Sequence, residues 1–345
     1  MLVTLVAVAA TGCSATDSQP SGKPHPAGNV VRVPEDFATV QQAVDIAREG
    51  DTVLIQPGVY RESVRVTVPR VVVRGTDRNA VVLDGGVRLV NGITVTGAGS
   101  VVENLTVRGF LANGVLFTGV TDDQLQRRGA GGSAYDPLDT VRFPPVQGFR
   151  ASRVTAYNNG LYGIYAFDAR GGVIEDSYAS GGADSGIYVG QCKPCDTLVR
   201  GNTVERNAVG IEITNASDNL TVLGNRVVGN RVEGNHATAN GVDLVLASTD
   251  PANCFTGNSP ATQSPNGLEE VAGCGAAARQ AVPAGRPAAV EPPPGTPFNS
   301  VPVPPAQPSM PDPSAPGRPA TDLPGPVDPN RYPLPTDVAA MPQPN

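Results

Sequence analysis

The sequence predicts an all-β fold: a single-stranded right-handed parallel β-helix with an N-terminal capping helix and a disordered Pro-rich tail. Three observations carry that expectation. A tetrapeptide of the form Gly-[Ile/Val]-x-apolar recurs, as GVLF from Gly114, GIYA from Gly163, GIYV from Gly186, GIEI from Gly210 and GVDL from Gly241. A second series keeps step with it: NLTV from Asn104, SRVT from Ser152, DSYA from Asp176, NTVE from Asn202 and NRVV from Asn225. Gly163, Gly186 and Gly210 stand about 23 residues apart, the length of one solenoid coil whose short strands are broken by Gly and Asn. Leucine-rich repeats have a similar period, but their regular Leu positions are absent here.

At the N-terminus, residues 1–13 begin with MLVTLVAVAATG, an apolar run shorter than the ~20 residues that span a bilayer. Ala10-Thr11-Gly12-Cys13 resembles a bacterial lipobox, although no Lys or Arg precedes the run and Ala10 stands where Leu is commoner. That resemblance implies an exported lipoprotein, acylated on Cys13 and anchored to a membrane of the cell envelope outside the cytoplasm. An ordinary cleaved signal with an incidental Cys13 is the alternative. Residues 14–28 read as a linker, and 29–275 as the β-helix domain.

The domain opens with VPEDFATVQQAVDIAREG, in which Phe37, Val40, Val44 and Ala47 recur at helical spacing. Thr39 and Gln42 fit a capping box, Gly50 stops the helix, and Val53 to Ile55 begin a strand. This stretch resembles the opening of pectin-esterase-like and NosD-like β-helix proteins, where a helix plugs the open end of the apolar column. Such a plug protects an edge that would otherwise pair with other chains. The interval from Gly114 to Gly163 is about two coils long, which places an insertion loop at residues 120–146, where strand alternation lapses. From residue 276 to 345 the composition turns Pro-rich, and such a chain neither buries apolar surface nor donates regular backbone hydrogen bonds.

Five cysteines are present. With Cys13 lipidated an even four remain, and their spacing suggests Cys192 with Cys195 and Cys254 with Cys274, other pairings staying open. CKPC at 192–195 has three readings: a disulfide that pins a turn in an oxidising compartment, a Cu(I) site, or a redox pair. Copper capture wants further soft ligands, and the three Met stand at 1, 310 and 341. A thioredoxin-type pair sits at a helix N-terminus, and none is predicted there. The net charge of −7 argues against a nucleic-acid partner.

Strand side chains alternate, so the apolar residues flanking each x fill the interior and the x residues point out: Leu116, Tyr165, Tyr188, Glu212 and Asp243. Further along each strand lie two more rows, Asp168, Gln191 and Asn215, then Arg170, Lys193 and Ser217. In this register Tyr165, Tyr188, Gln191, Lys193, Glu212 and Asn215 form a candidate polysaccharide-binding patch. Stacked Tyr rows and Asn turns also stabilise a sheet with no ligand at all.

GIYAFDARGG resembles the alginate (mannuronan) C5-epimerase signature Y-G-F-D-P-H. The resemblance places Tyr165 and Asp168 on that family's catalytic Tyr and Asp, while Arg170 stands at its His and Ala169 at its Pro. Residues 160–230, through DSGIYVGQ at 184–191 and NTVERNAVGIEITN at 202–215, resemble bacterial β-helix repeat lipoproteins of unsettled function in the pectin-lyase-like superfamily. The leading expectation is therefore a lipid-anchored envelope protein that binds a polysaccharide along the Tyr/Asp face, with no cofactor and no metal site. One alternative is a polyuronate lyase or C5-epimerase using Tyr165, Asp168 and Arg170, with Ca2+ as the ion such a lyase would take. Another is a non-catalytic structural or partner-docking module; a copper-accessory role of the NosD kind stands behind these.

Overall fold

The computed structural model describes residues 24–120, 138–216 and 298–322, with short strand segments between residues 219 and 267. Cys13, Cys274 and residues 121–137 of the insertion lie outside the described residues, as do 276–297 and 323–345 of the tail.

The chain winds as a solenoid whose strands pair in parallel with the coil before and the coil after. One face stacks Val30–Val33, Thr52–Ile55, Val72–Gly75, Ser100–Arg108, Val146–Tyr157, Ala169–Glu175, Thr197–Arg200 and Leu220–Leu223 in chain order. A second sheet stacks Val64–Val66, Ile93–Val95, Val115–Phe117, Ile164–Phe167, Ser185–Cys192, Val209–Ala216, Arg231–Glu233 and Cys254–Thr256. The far halves of Ser100–Arg108 and Val146–Tyr157 bend away to pair with Val81–Asp84 and Tyr178–Ser180, which makes a third face.

The register follows from the alternation. Ile164 pairs with Val115 on one side and Ile187 on the other, and Ile187 pairs with Ile211, so inward aliphatic side chains stack coil on coil. Val31, Val33, Val53, Ile55, Val73 and Leu105 extend the same dry column, and Phe117 and Phe149 meet across it at 4.8 Å. Parallel strands packed on one buried face favour such β-branched residues.

The N-terminal plug is the helix Val40–Ile46, which buries Val40, Ala43 and Val44. Thr39 caps it, accepting from Gln42 N at 3.2 Å. The other first-turn donors, Val40 N and Gln41 N, go to the Glu62 carboxylate at 2.9 and 2.8 Å. A neighbouring coil therefore supplies the acidic partner that a helix N-terminus favours.

The corners are built by internal side-chain ladders. Asn202 accepts from Ser177 N at 3.0 Å and donates to Ile174 O at 2.9 Å, while Asn202 N donates to Asn225 Oδ1 at 3.0 Å. Where strands cannot pair around a bend, these amides satisfy the backbone instead.

The described part of the tail, residues 298–322, corrects the expectation of disorder for that segment. It runs as an extended strap over the long face. Asn158 Nδ2 donates to Val301 O at 2.9 Å, Asn79 Nδ2 to Gln307 O at 2.9 Å, and Arg74 Nη1 to Pro313 O at 3.0 Å and to Ala315 O. In return Met310 N donates to Asn104 Oδ1 at 2.6 Å, and Ala320 N to Gly99 O at 2.8 Å. Ala320 is buried against Val72 and Val101. A Pro-rich chain has few N–H groups to satisfy, so a face offering Arg and Asn donors for its carbonyls can hold it without a sheet ladder.

Candidate functional site

The strands Ile164–Phe167 and Ser185–Cys192 bring Tyr165 and Tyr188 side by side on the outer surface of the second sheet, in register, with ring centroids 4.8 Å apart. Tyr162, at the turn before the first strand, stacks on Tyr165 at 4.2 Å with 13° between the ring planes. Phe167 completes the group, 5.4 Å from Tyr165. These rings, with Leu116, Val120 and Leu138, form an apolar cluster separate from the main column.

The open ladder expected from alternation is largely closed. Tyr188 is 3% exposed, Leu116 4% and Glu212 6%, whereas Tyr165 and Tyr162 are half-buried and Lys193 is exposed. The outward direction is right but the solvent is not, because the rings pack on one another and under the chain that returns from the insertion. Gln191 anchors that return: its Oε1 accepts from Leu138 N at 2.7 Å.

The row Asp168, Gln191, Asn215 proves to be a corner of the solenoid. All three take left-handed backbone angles, with φ of 57°, 58° and 50°. Asp168 and Gln191 are buried, and Asp168 N donates to Gly190 O at 3.0 Å. Asp and Asn tolerate that region, and Gln191 adopts it at the same place in the coil, so this row first of all reports a backbone bend. Arg170 lies past the corner on the long face, where its Nε donates to Gln147 Oε1 at 2.5 Å. Tyr165, Asp168 and Arg170 thus occupy the second sheet, the corner and the long face in turn, rather than one surface.

Cys192 and Cys195 form a disulfide. Both are fully buried at the same corner, which suits the turn-pinning reading of CKPC. The pairing of Cys254 with Cys274 lies outside the described residues.

Beside the rings stands a carboxyl pair that the sequence reading did not assemble. Glu212 is the register partner of Tyr188. Ser185 Oγ donates to Glu212 Oε2 and also lies 3.2 Å from Asp184 Oδ1, so one hydroxyl bridges two carboxyl groups. Thr214 Oγ1 adds a hydrogen bond to Glu212 Oε1 at 3.0 Å. Burial pushes the Glu212 carboxyl up to about 7; the hydrogen bond from Ser185 opposes that shift and the neighbouring Asp184 charge adds to it. Burial also raises Asp184, against hydrogen bonds from Tyr162 and Ser185, and pushes the Tyr162 phenol far above its usual range. Asp184, Ser185 and Tyr162 were missed because they stand at the strand entry, just before the Gly of each tetrapeptide. Asn113, Tyr162, Ser185 and Val209 precede the Gly of successive tetrapeptides, so the repeat offered no common residue type to signal them.

Residues 91–259 match the family model described as right handed beta helix region. The chain carries a right-handed β-helix. Solved structures similar to this β-helix include pectin methylesterase PemA from Erwinia chrysanthemi, at 17% identity, covering 68% of this chain and 79% of that one, with a TM-score of 0.35. An alginate lyase from Paenibacillus sp. str. FPU-7 has 17% identity, coverage of 68% and 95%, and a TM-score of 0.32. Pectate lyase Pel9A has 12% identity, coverage of 64% and 70%, and a TM-score of 0.36. At that level of likeness no activity transfers to this β-helix. No curated protein matches the chain.

Proposed function

We propose that the β-helix binds a polysaccharide along the outer surface of its second sheet, with Tyr165 and Tyr162 as the stacking platform. The observation that carries this reading is the aromatic cluster itself. Four rings gather outside the apolar column, where the fold does not need them to fill its interior, and two of them keep part of their surface exposed. An aromatic ring with a hydroxyl at its edge suits the apolar face and polar rim of a sugar. Asn215 belongs to the corner row and exposed Lys193 stands just past that corner, so neither lies on the platform itself. Export, and anchoring in the envelope through a lipid on Cys13, belong to the same proposal and rest on the lipobox-like ATGC. Mass spectrometry of the mature N-terminus should find diacylglycerol on Cys13, and a mature chain beginning elsewhere would remove the anchor.

A glycan array with the full-length protein tests the binding reading. Wild type should retain at least one glycan, and Tyr165→Ala should weaken that retention about tenfold or more, the scale of losing a central aromatic contact. Arg170→Ala should leave neutral glycans bound, since Arg170 faces Gln147 on another face. If wild type retains nothing, the proposal fails.

A second reading, proton transfer on a bound polyuronate, is favoured by one observation: Glu212 is a carboxyl that exchanges its proton near neutral pH beside the platform. Incubation with alginate or polygalacturonate should then yield unsaturated ends or an altered uronate ratio, and Glu212→Gln should abolish the product. An unchanged polymer rejects catalysis and leaves binding standing.

A further inference from the structure

On a different face from the tyrosines, and independent of them, a half-open pocket of about 280 Å³ lies between the long-face corner and the docked strap. Its walls include Arg78, Arg153, Asp176, Thr203 and, from the strap, Gln307 and Pro308. Arg153 and Asp176 reach it from left-handed corner positions, with φ of 50° and 49°.

The charges in this pocket do not balance. Arg78 is 2% exposed. Its guanidinium donates to Thr155 Oγ1 at 2.8 Å, Val154 O at 3.0 Å, Asp176 O at 3.0 Å and Pro308 O at 3.1 Å. Every one of those acceptors is uncharged. The Asp176 carboxylate is engaged by Arg153 instead, at 3.1 Å. Arg78 is lowered to about 10, mainly by burial and also by Arg153, with Asp176 offsetting part of the shift. Two guanidinium groups therefore face one carboxylate in a partly desolvated site, where a buried cation gains most from a charge partner.

We propose that this pocket binds a small hydroxylated oxyanion, a sugar acid or a sugar phosphate, with its charged group at Arg153 and Arg78 and the strap as one wall. The Arg153 guanidinium suits the two-oxygen edge of a carboxylate or phosphate, while Arg78, four of whose five N–H groups are already engaged, adds its charge and one remaining Nη2 hydrogen. The Thr203 hydroxyl and the Gln307 amide line the wall where ligand hydroxyls can be met. The volume is near the lower end for small-molecule sites, which sets the ligand at one or two sugar rings rather than a polymer. Because Gln307 and Pro308 belong to the strap, ligand binding and strap docking stabilise each other by linkage.

Titration calorimetry with the full-length protein, using glucuronate, glucose 6-phosphate and glucose as probes, tests this. One or both anions should bind and glucose should not; which anion binds tells a carboxylate ligand from a phosphate one. Arg78→Gln risks the fold, so the decisive variant is Arg153→Gln, at a half-buried position. It should weaken the anion about tenfold or more. Gln307→Ala should weaken it too, and amide exchange around Ser309 and Met310 should slow when the anion is added. The proposal is overturned if neither anion binds, if glucose binds equally, if Arg153→Gln leaves affinity unchanged, or if strap exchange ignores the ligand.

Discussion

Glu212→Gln should reshape the pH dependence of stability. In the folded protein burial raises the Glu212 carboxyl from 4.5 to about 7. A carboxyl raised on folding holds its proton more tightly in the native state than in the unfolded chain. Its contribution is therefore full below pH 4.5 and is lost as pH rises through about 7. Each pH unit in that window is worth about 1.4 kcal/mol, so the whole interval amounts to about 3 kcal/mol. Gln keeps the shape and one of the two acceptor oxygens, so of Ser185 and Thr214 one still donates to it and the other accepts from the amide NH2, and it carries no charge to repel Asp184. Urea unfolding of both proteins at about pH 5 and about pH 8 reads the difference. Wild type should lose about 2–3 kcal/mol more than Glu212→Gln across that range. Asp184 titrates in both proteins, so its own contribution largely cancels in the comparison. Parallel pH profiles would refute the reasoning, since they would mean that Glu212 is solvated or paired strongly enough to ionise normally.

Two further outcomes follow from the packing. Ile187→Ala removes a fully buried side chain stacked between Ile164 and Ile211, and should destabilise by about 3 kcal/mol in chemical unfolding; a loss below about 1 kcal/mol would mean that the column collapses around the gap. Arg74→Ala strands Glu103, whose side chain is 8% exposed and pairs with Arg74 Nη2 at 2.7 Å, and should cost about 3–5 kcal/mol. It also removes the donor to Pro313 O and Ala315 O, so limited proteolysis should cut residues 298–322 faster than in wild type, and equal protection would show that other contacts hold the strap.

Much of the solenoid could be read from the chain because its coils are local. Ile164, Ile187 and Ile211 recur at the same place in each repeat, and strand alternation sends them into the column whatever lies elsewhere. The corner residues were equally visible, but their meaning was not. Asp168, Gln191 and Asn215 looked like a row of ligand contacts, and the left-handed backbone shows that their first duty is to turn the chain.

By itself the sequence determined which side of each strand a residue faces. It placed Leu116, Tyr165, Tyr188 and Glu212 away from the column, and the structure keeps them there. Only the tertiary structure decided what lies over that outer side. The rings of Tyr162, Tyr165, Phe167 and Tyr188 close on one another, and Ser185 draws Asp184 and Glu212 together. The strap lies along Arg74, Asn79 and Asn104, although those residues stand more than two hundred positions earlier in the chain. The physical reason is range. Alternation is set by bond geometry from one residue to the next, whereas cover depends on distant segments whose docking is repaid only once the coils present their donors in a row.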